Sequence, residues 1–367
     1  MTRLATSAFT AALSLLAITT SNAASARTLD VRQDCPGRGR CFRTIGAALV
    51  IANADRRTDW ITVRVAPGDY REKLTVARDH VRLLGSGAAR TRLHFDAVAQ
   101  TSKQYHRDLW GTPGSATLTV NAAHVIVSGL KVENDYDYPA NDRLPDGDPA
   151  KIGNPQAVAL LLDVDSDAVL VSKAAIIGYQ DTLFANGKRV RITDSLIAGN
   201  VDFIFGNGIV LIERSEIRTR RRFTPVPDTP FESFIAAPST LMAQPIGIIV
   251  YRSRLTREDG VPDAAVALAR PWHPTTRFPD GRYANPLAVG QISFIDCFMD
   301  AHVAPRHWAA MKGTARNGSM TDVFTPQDAR FYERGSYGPG ARRVDMGMPA
   351  TGIGDINAIK KAFSDHR

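Results

Sequence analysis

VLVSKAAIIGYQDTLFANGKRVRITDSLIAGNVDFIFGNGIVLIERSEIR, residues 169–218, holds three copies of one short pattern. The copies begin at Val169 (VLVSKAAII), Val190 (VRITDSLIA) and Val210 (VLIERSEIR). Each alternates apolar with other residues, passes through a polar pair, and then gives a second short strand. The same pattern opens at Val125 (VIVSGLKVE), Ile248 (IIVYRSRLT) and Ile292 (ISFIDCFMD). Successive starts lie 44, 21, 20, 38 and 44 residues apart, so the unit is 21 residues or a near multiple of it. Short strands recurring at this period predict a solenoid of β coils, each burying its apolar face only by stacking on the next. Leucine-rich repeats share the period but need fixed leucine and asparagine positions and a helix per unit, which are missing here. The fold class is therefore all-β, a parallel β-helix.

The ends of the chain differ from the middle. FRTIGAALVIAN (42–53) has helical apolar spacing and is expected to cap the N-terminal end of the stack. ITVRVAPGDYREKLTV (61–76) and HVRLLGSG (80–87) are expected to be the first coils, and DINAIKKAFSDH (355–366) a closing helix. Residues 97–115, 135–155, 218–234 and 257–287 read as long loops that leave the coils to build a groove. Residues 1–23 combine Arg3, an apolar centre at 11–18 and the small residues Ser21-Asn22-Ala23, the pattern of a secretory leader too short to span a bilayer. Residues 24–367 then form one β-helix domain, with no linker inside it.

The formal net charge is +8, and loss of Arg3 with the leader lowers it to +7. A basic exported protein suits a polyanion, whether nucleic acid, an acidic polysaccharide or an anionic surface, although charge can equally serve solubility. Of the three cysteines, Cys35 and Cys41 could close a small loop, and Cys297 sits in an apolar run where it would be buried and inert.

A period of about 21 gives two aspartates a geometry. Asp181 and Asp202 stand 21 residues apart, so they should lie on neighbouring coils about 4.8 Å apart. Gln156 falls one coil before Gln180, which makes a polar quartet among Leu183, Phe184, Phe203 and Phe205. Two carboxylates this close do not both ionise freely. Repulsion and apolar neighbours should keep one protonated, and a cation, for which Arg270 is the candidate, should keep the other charged. One is then a nucleophile or base and the other an acid, with the amides placed for an oxyanion. The same residues could instead form only a polar ladder. No GxSxG, HExxH, GxGxxG or P-loop pattern occurs, and the histidines, His273 and His307 among them, lack metal-ligand spacing. No dense acidic array suited to calcium is present either.

GYQDTLFA (178–185), GNVDFIFGNG (199–208) and ARPWHPTT (269–276), with supporting blocks such as GDYREKLTV (68–76), GSATLTV (114–120), QAVAL (156–160), AAPST (236–240) and RFYERGSYGPGA (330–341), resemble the signature blocks of the pectinesterases, closest to secreted bacterial members. The resemblance implies a right-handed parallel β-helix that hydrolyses the methyl esters of polygalacturonate without metal or cofactor. It implies Asp202 as nucleophile and Asp181 as proton donor and then base. Gln156 and Gln180 would hold the oxyanion, and Arg270 would orient the nucleophile. Thr112, Gln156, Phe205, Ala236, Arg270, Trp272, Thr275 and Met311 match positions lining the sugar subsites, with Trp272 as an aromatic platform. The implied partner is pectin, that is, methyl-esterified homogalacturonan. Nucleic acid is not implied, nor a membrane once the leader is removed, and the expected form is a secreted monomer. The chain departs from the pattern at Ala269, Asn200, Phe184 and His307, and has Ser195 and Ser215 where some relatives have a cysteine pair. A β-helical glycosidase and a non-catalytic wall-binding protein are the competing readings.

Overall fold

The computed structural model describes residues 27–36, 39–224, 229–341, 359–361 and 363. The leader stretch 1–23 lies outside them. Every repeat found in the sequence is a strand of one parallel sheet. Val125–Ser128, Val169–Ser172, Val190–Thr193, Val210–Glu213, Ile248–Tyr251 and Gln291–Ile295 are consecutive neighbours in an 11-stranded A sheet. The second segment of each repeat enters an eight-stranded B sheet: Lys131–Asn134, Ala175–Ile177, Leu196–Gly199, Glu216–Thr219, Arg254–Arg257 and Phe298–Met299. The chain is a right-handed parallel β-helix.

The polar pair between the two segments is a sharp corner. Its first residue is left-handed in every copy: Gly129 (φ 67°), Lys173 (49°), Asp194 (50°), Arg214 (48°), Arg252 (46°) and Asp296 (51°). Left-handed backbone at non-glycine residues costs of order 1–3 kcal/mol each, so it persists only where the surroundings enforce it. Here the enforcement is a stack of hydroxyls one residue later. Ser195 N–H donates to Ser215 Oγ, and Ser215 N–H to Ser253 Oγ, at 3.2 Å each. Cys297 continues that column; it is buried, and burial pushes its thiol pKa up to about 12.

A third parallel sheet, C, was not read from the sequence. It comprises Leu74–Val76, Leu118–Val120, Leu160–Leu162, Leu183–Ala185, Val201–Gly206, Ser233–Pro238 and Val266–Ala269. Its inward residues, among them Leu118, Leu160, Leu183, Ile204 and Leu268, join one continuous core with those of the other sheets.

Helix Ile45–Ala54 covers the N-terminal end of the core through Ile45, Ala48, Leu49 and Ala52, as expected. Thr44 Oγ1 accepts from Ala47 N–H, and the Glu72 carboxylate accepts from Ile45 and Gly46 N–H at 2.8 Å each, which satisfies the helix start. Cys35 and Cys41 are joined as a disulfide. Of the expected closing helix, residues 359–361 are helical. Ile359 and Phe363 pack against Leu211, Ile249, Tyr251 and Ile295, so this segment covers the outer side of the A sheet.

Two loop expectations need correction. Residues 257–287 contain a C-sheet strand, Val266–Ala269, and a hairpin, Thr275–Phe278 with Gly281–Ala284. Residues 218–234 begin and end in strands. Both were obscured by Pro, Asp and Arg residues crowded around very short strands. Loops 135–155 and 218–234 are clasped together, since Asp142 accepts from the N–H groups of Phe223 (2.7 Å) and Thr224 (3.0 Å).

Candidate active site

The outer face of the C sheet carries the two aspartates, and both depart from ordinary strand geometry. Asp181 has φ 62° and Asp202 φ 50°. Beside Asp181, the Thr182 hydroxyl lies within reach of the carbonyls of Tyr179 (3.2 Å) and Ala198 (3.1 Å), which ties the turn down. At Asp202 the strand bulges. Val201 pairs with Phe234 but Ile204 with Ala236, three steps against two. The extra residue sends both Phe203 and Ile204 into the core and leaves Asp202 and Phe205 on the outer face. Gly199 permits the close approach of the two turns, because a Cβ there would lie 2.6 Å from Tyr179 O.

Leu183 pairs with Ile204 and Phe184 with Phe205, so Asp181 and Asp202 occupy equivalent positions on adjacent coils. Asp181 N–H donates to Val201 O at 3.0 Å. Arg270 reaches back to Asp202 with a bidentate pair, Nε to Oδ1 at 2.8 Å and Nη2 to Oδ2 at 2.6 Å. Such a pair supplies the counter-charge of the carboxylate and fixes its plane. Phe234, which sequence reasoning missed, lies under the guanidinium at 3.9 Å. Among the described residues Asp181 has no such partner. Burial, and then the charge of Asp202, raise its pKa well above the ordinary carboxyl value, with Arg270 opposing only in part. The pair is thus divided into one aspartate gripped by an arginine and one buried aspartate whose charged form is disfavoured.

Ala157 N–H donates to Gln180 O at 3.1 Å, which sets Gln156 one coil before Gln180. Both glutamines are half-buried, and Gln156 Oε1 is buried with no hydrogen-bond partner. An amide without internal commitments is free to orient toward a ligand.

Next to the aspartates lies an aromatic floor. Phe184 and Phe205 stack with centroids 4.1 Å apart, and Trp272 stands edge-on to Phe205 at 5.6 Å. Trp110, also missed, is 41% exposed, edge-on to Phe184 at 5.5 Å, and 6.4 Å from Trp272. A lone tryptophan in the polar loop DLWGTPGS (108–115) was the available signal. Thr112 follows it in the short helical turn Gly111–Gly114. Thr275 and Met311 lie on two hairpins that meet where Thr275 Oγ1 and Thr314 Oγ1 share a hydrogen bond of 2.7 Å. Ala236 corrects an expectation. Its side chain is fully buried in the main core, because the bulge fixes its parity inward. It serves the site through its carbonyl, which accepts from Arg270 N–H at 3.0 Å. His273 and His307 are packing residues: His273 stacks on Phe324 at 3.6 Å, and His307 is buried against Gly340 O.

The site invites comparison with known proteins. The Pectinesterase family profile matches residues 31–324. Pectinesterase A of Dickeya dadantii is 38% identical over 335 residues, 90% of either chain. A pectin methylesterase solved in complex with a hexasaccharide superposes with a TM-score of 0.81 at 35% identity, covering 93% of this chain and 98% of that one. The pectin methylesterase of Yersinia enterocolitica gives a TM-score of 0.76 at 41% identity over 83% of this chain and 93% of that one. With an arginine-held aspartate, a second buried aspartate and two amides on adjacent coils, and with these matches across nearly all of its described length, the chain belongs to the pectinesterase family.

Proposed function

We propose that this protein is an exported hydrolase that removes methyl esters from pectin, yielding free uronate and methanol. The observation that carries the reading is the division of labour between two aspartates one coil apart. Asp202, held by Arg270, attacks the ester carbonyl carbon through a carboxylate oxygen. The carbonyl oxygen becomes an oxyanion, to which the Gln156 and Gln180 amides donate. As the C–O bond to the methoxy group breaks, Asp181 gives its proton to the departing oxygen and methanol leaves. Asp181, now charged, takes a proton from water as that water attacks the anhydride on Asp202. The acid product departs, Asp202 is regenerated as a carboxylate and Asp181 regains its proton, so atoms and charge balance over the cycle.

Trp272 supplies a face for a sugar ring, and Thr112, Phe205, Thr275 and Met311 shape the neighbouring subsites. In this reading residues 1–23 direct export and are removed, and residues 24–367 act as a soluble monomer outside the cytoplasm. The test is methanol release from highly methylated pectin by the purified mature chain, with reducing ends counted in the same sample. Methanol without new reducing ends is expected. Reducing ends without methanol would reject the reading in favour of a glycosidase, and neither product would favour a non-catalytic binder.

A further inference from the structure

The turn that carries Gln180 and Asp181 is gripped by a side chain that the ester chemistry does not use. Two of the turn's carbonyls are taken up by backbone of neighbouring coils: Tyr179 O accepts from Asn200 N–H (2.9 Å) and Gln180 O from Ala157 N–H (3.1 Å). Gly178 O, at the start of the turn, accepts from Arg220 Nη1 at 3.0 Å. Arg220 Nη2 donates to the Tyr179 hydroxyl at 2.8 Å, and the guanidinium carbon lies 3.7 Å from the centroid of the Tyr179 ring. Arg220 Nε donates to Glu258 at 2.9 Å. One guanidinium thus holds both residues that precede Gln180 and Asp181, and a carboxylate fixes its own orientation.

The reach spans two coils. Gly178 follows the B-sheet strand Ala175–Ile177, Arg220 follows Glu216–Thr219, and Leu196–Gly199 lies between them. Glu258 follows Arg254–Arg257, one coil further on. The other bracing loop meets the same ring: Tyr138, the first residue of the short helix Tyr138–Arg143, stacks on Tyr179 with centroids 5.2 Å apart and planes 10° from parallel. Loops 135–155 and 218–234 therefore converge on Tyr179 as well as on Asp142. The charged and titratable groups that face Asp181 are Asp202, Arg270 and the buried Tyr138. Arg220 is not among them, so its influence on Asp181 runs through the backbone of the turn.

We propose that Arg220 is a positioning residue for the ester chemistry: by fixing Gly178 and Tyr179 it holds the Gln180 amide at the oxyanion and keeps the Asp181 carboxyl shielded from water. The proposal rests on the esterase reading of the central site. Slack in the turn displaces both groups at once, and small misplacements of reacting groups cost up to about 10² in rate. Slack also admits water to Asp181. Hydration removes the burial that favours its protonated form, so Asp181 loses its proton at a lower pH.

The test compares the purified mature parent with Arg220→Met, Arg220→Lys and Tyr179→Phe in methanol release from methylated pectin across pH, at a temperature where each is folded. Arg220→Met is expected to lower kcat about 10–100-fold with KM within about threefold, and to move the alkaline limb of the kcat profile to lower pH. Arg220→Lys keeps a donor for Gly178 O and should recover most of the rate and the parental limb. A parental kcat in Arg220→Met, or a lower kcat with an unmoved limb, would overturn the proposal, because loss of folded enzyme scales the whole profile without shifting it. Should Arg220→Met not fold, Tyr179→Phe decides, since it keeps the ring and loses one hydrogen bond. A kcat lowered about threefold with the same shift supports the proposal, and a parental profile rejects it. Absence of methanol release from the parent would instead overturn the esterase reading. Amide hydrogen exchange at residues 178–182 would still decide the positioning role, with faster exchange expected in Arg220→Met and parental protection rejecting it.

Discussion

Asp181 and Asp202 are the same residue type one coil apart, and their surroundings differ sharply. Asp202 is gripped by a guanidinium in two hydrogen bonds, whereas Asp181 is buried beside a charge of its own sign. Replacing Asp181 by Asn should slow methanol release by about 10²–10⁴-fold, the usual share of acid–base help. The same change should alter stability in a way that depends on pH. Between the unfolded carboxyl pKa of about 3.9 and the raised native value, the native chain keeps a proton that the unfolded chain releases. The unfolded state then binds fewer protons, so the Asp181 carboxyl makes the parent less stable as pH rises through that window. Asn cannot ionise. Urea midpoints of Asp181→Asn against parent at pH 4, 6 and 8 should therefore show a gain that grows with pH, and a pH-independent difference would count against the buried acid. The pairing of these aspartates was legible from a spacing of 21 alone, and Arg270 was the candidate cation before the resemblance gave it the same role. Trp110 and Phe234 were not, because a tryptophan in a loop and a phenylalanine in a strand carry no periodic signal of the surface they face.

Strands and turns explain why that spacing works. Two sheets were visible in the sequence because their strands alternate and share a polar corner. The C sheet was hidden because its strands are short and often buried on both faces, as at Leu160–Leu162 and Val201–Gly206. A strand buried on both sides loses the alternation that marks it. The bulge at Asp202 was equally silent in sequence, yet it decides which residues face outward, and it is why Ala236 faces the core. Gly199 guards this geometry. Gly199→Ala should destabilise the chain by about 1–3 kcal/mol through overpacking against Tyr179 O and Thr182, and should lower kcat more than it raises KM. Equilibrium urea unfolding and steady-state methanol release check the two halves. At the N-terminal end, Glu72→Ala should cost about 0.5–2 kcal/mol by leaving the starts of Ile45 and Gly46 uncapped, with activity unaffected below the melting transition. A loss of activity without a loss of stability would show that Glu72 does more than cap.

Across the whole molecule, a stack of coils gives fixed distances, and the loops add what the coils cannot. The rigid part sets Asp181 against Asp202, and loop 97–115 brings Trp110 over Phe184. Loops 135–155 and 218–234 brace one another through Asp142. Such an assembly allows the proposed nucleophile, Asp202, to be removed and the scaffold examined without it. Asp202→Ala leaves Arg270 half-buried and unpaired, which should cost about 3–5 kcal/mol yet keep the β-sheet circular dichroism spectrum. Methanol release from methylated pectin by Asp202→Ala and parent, at a temperature where both are folded, should show turnover in the parent and none above background in the variant. Turnover near the parental rate in a folded Asp202→Ala chain would contradict the assignment of this aspartate as the group that attacks the ester.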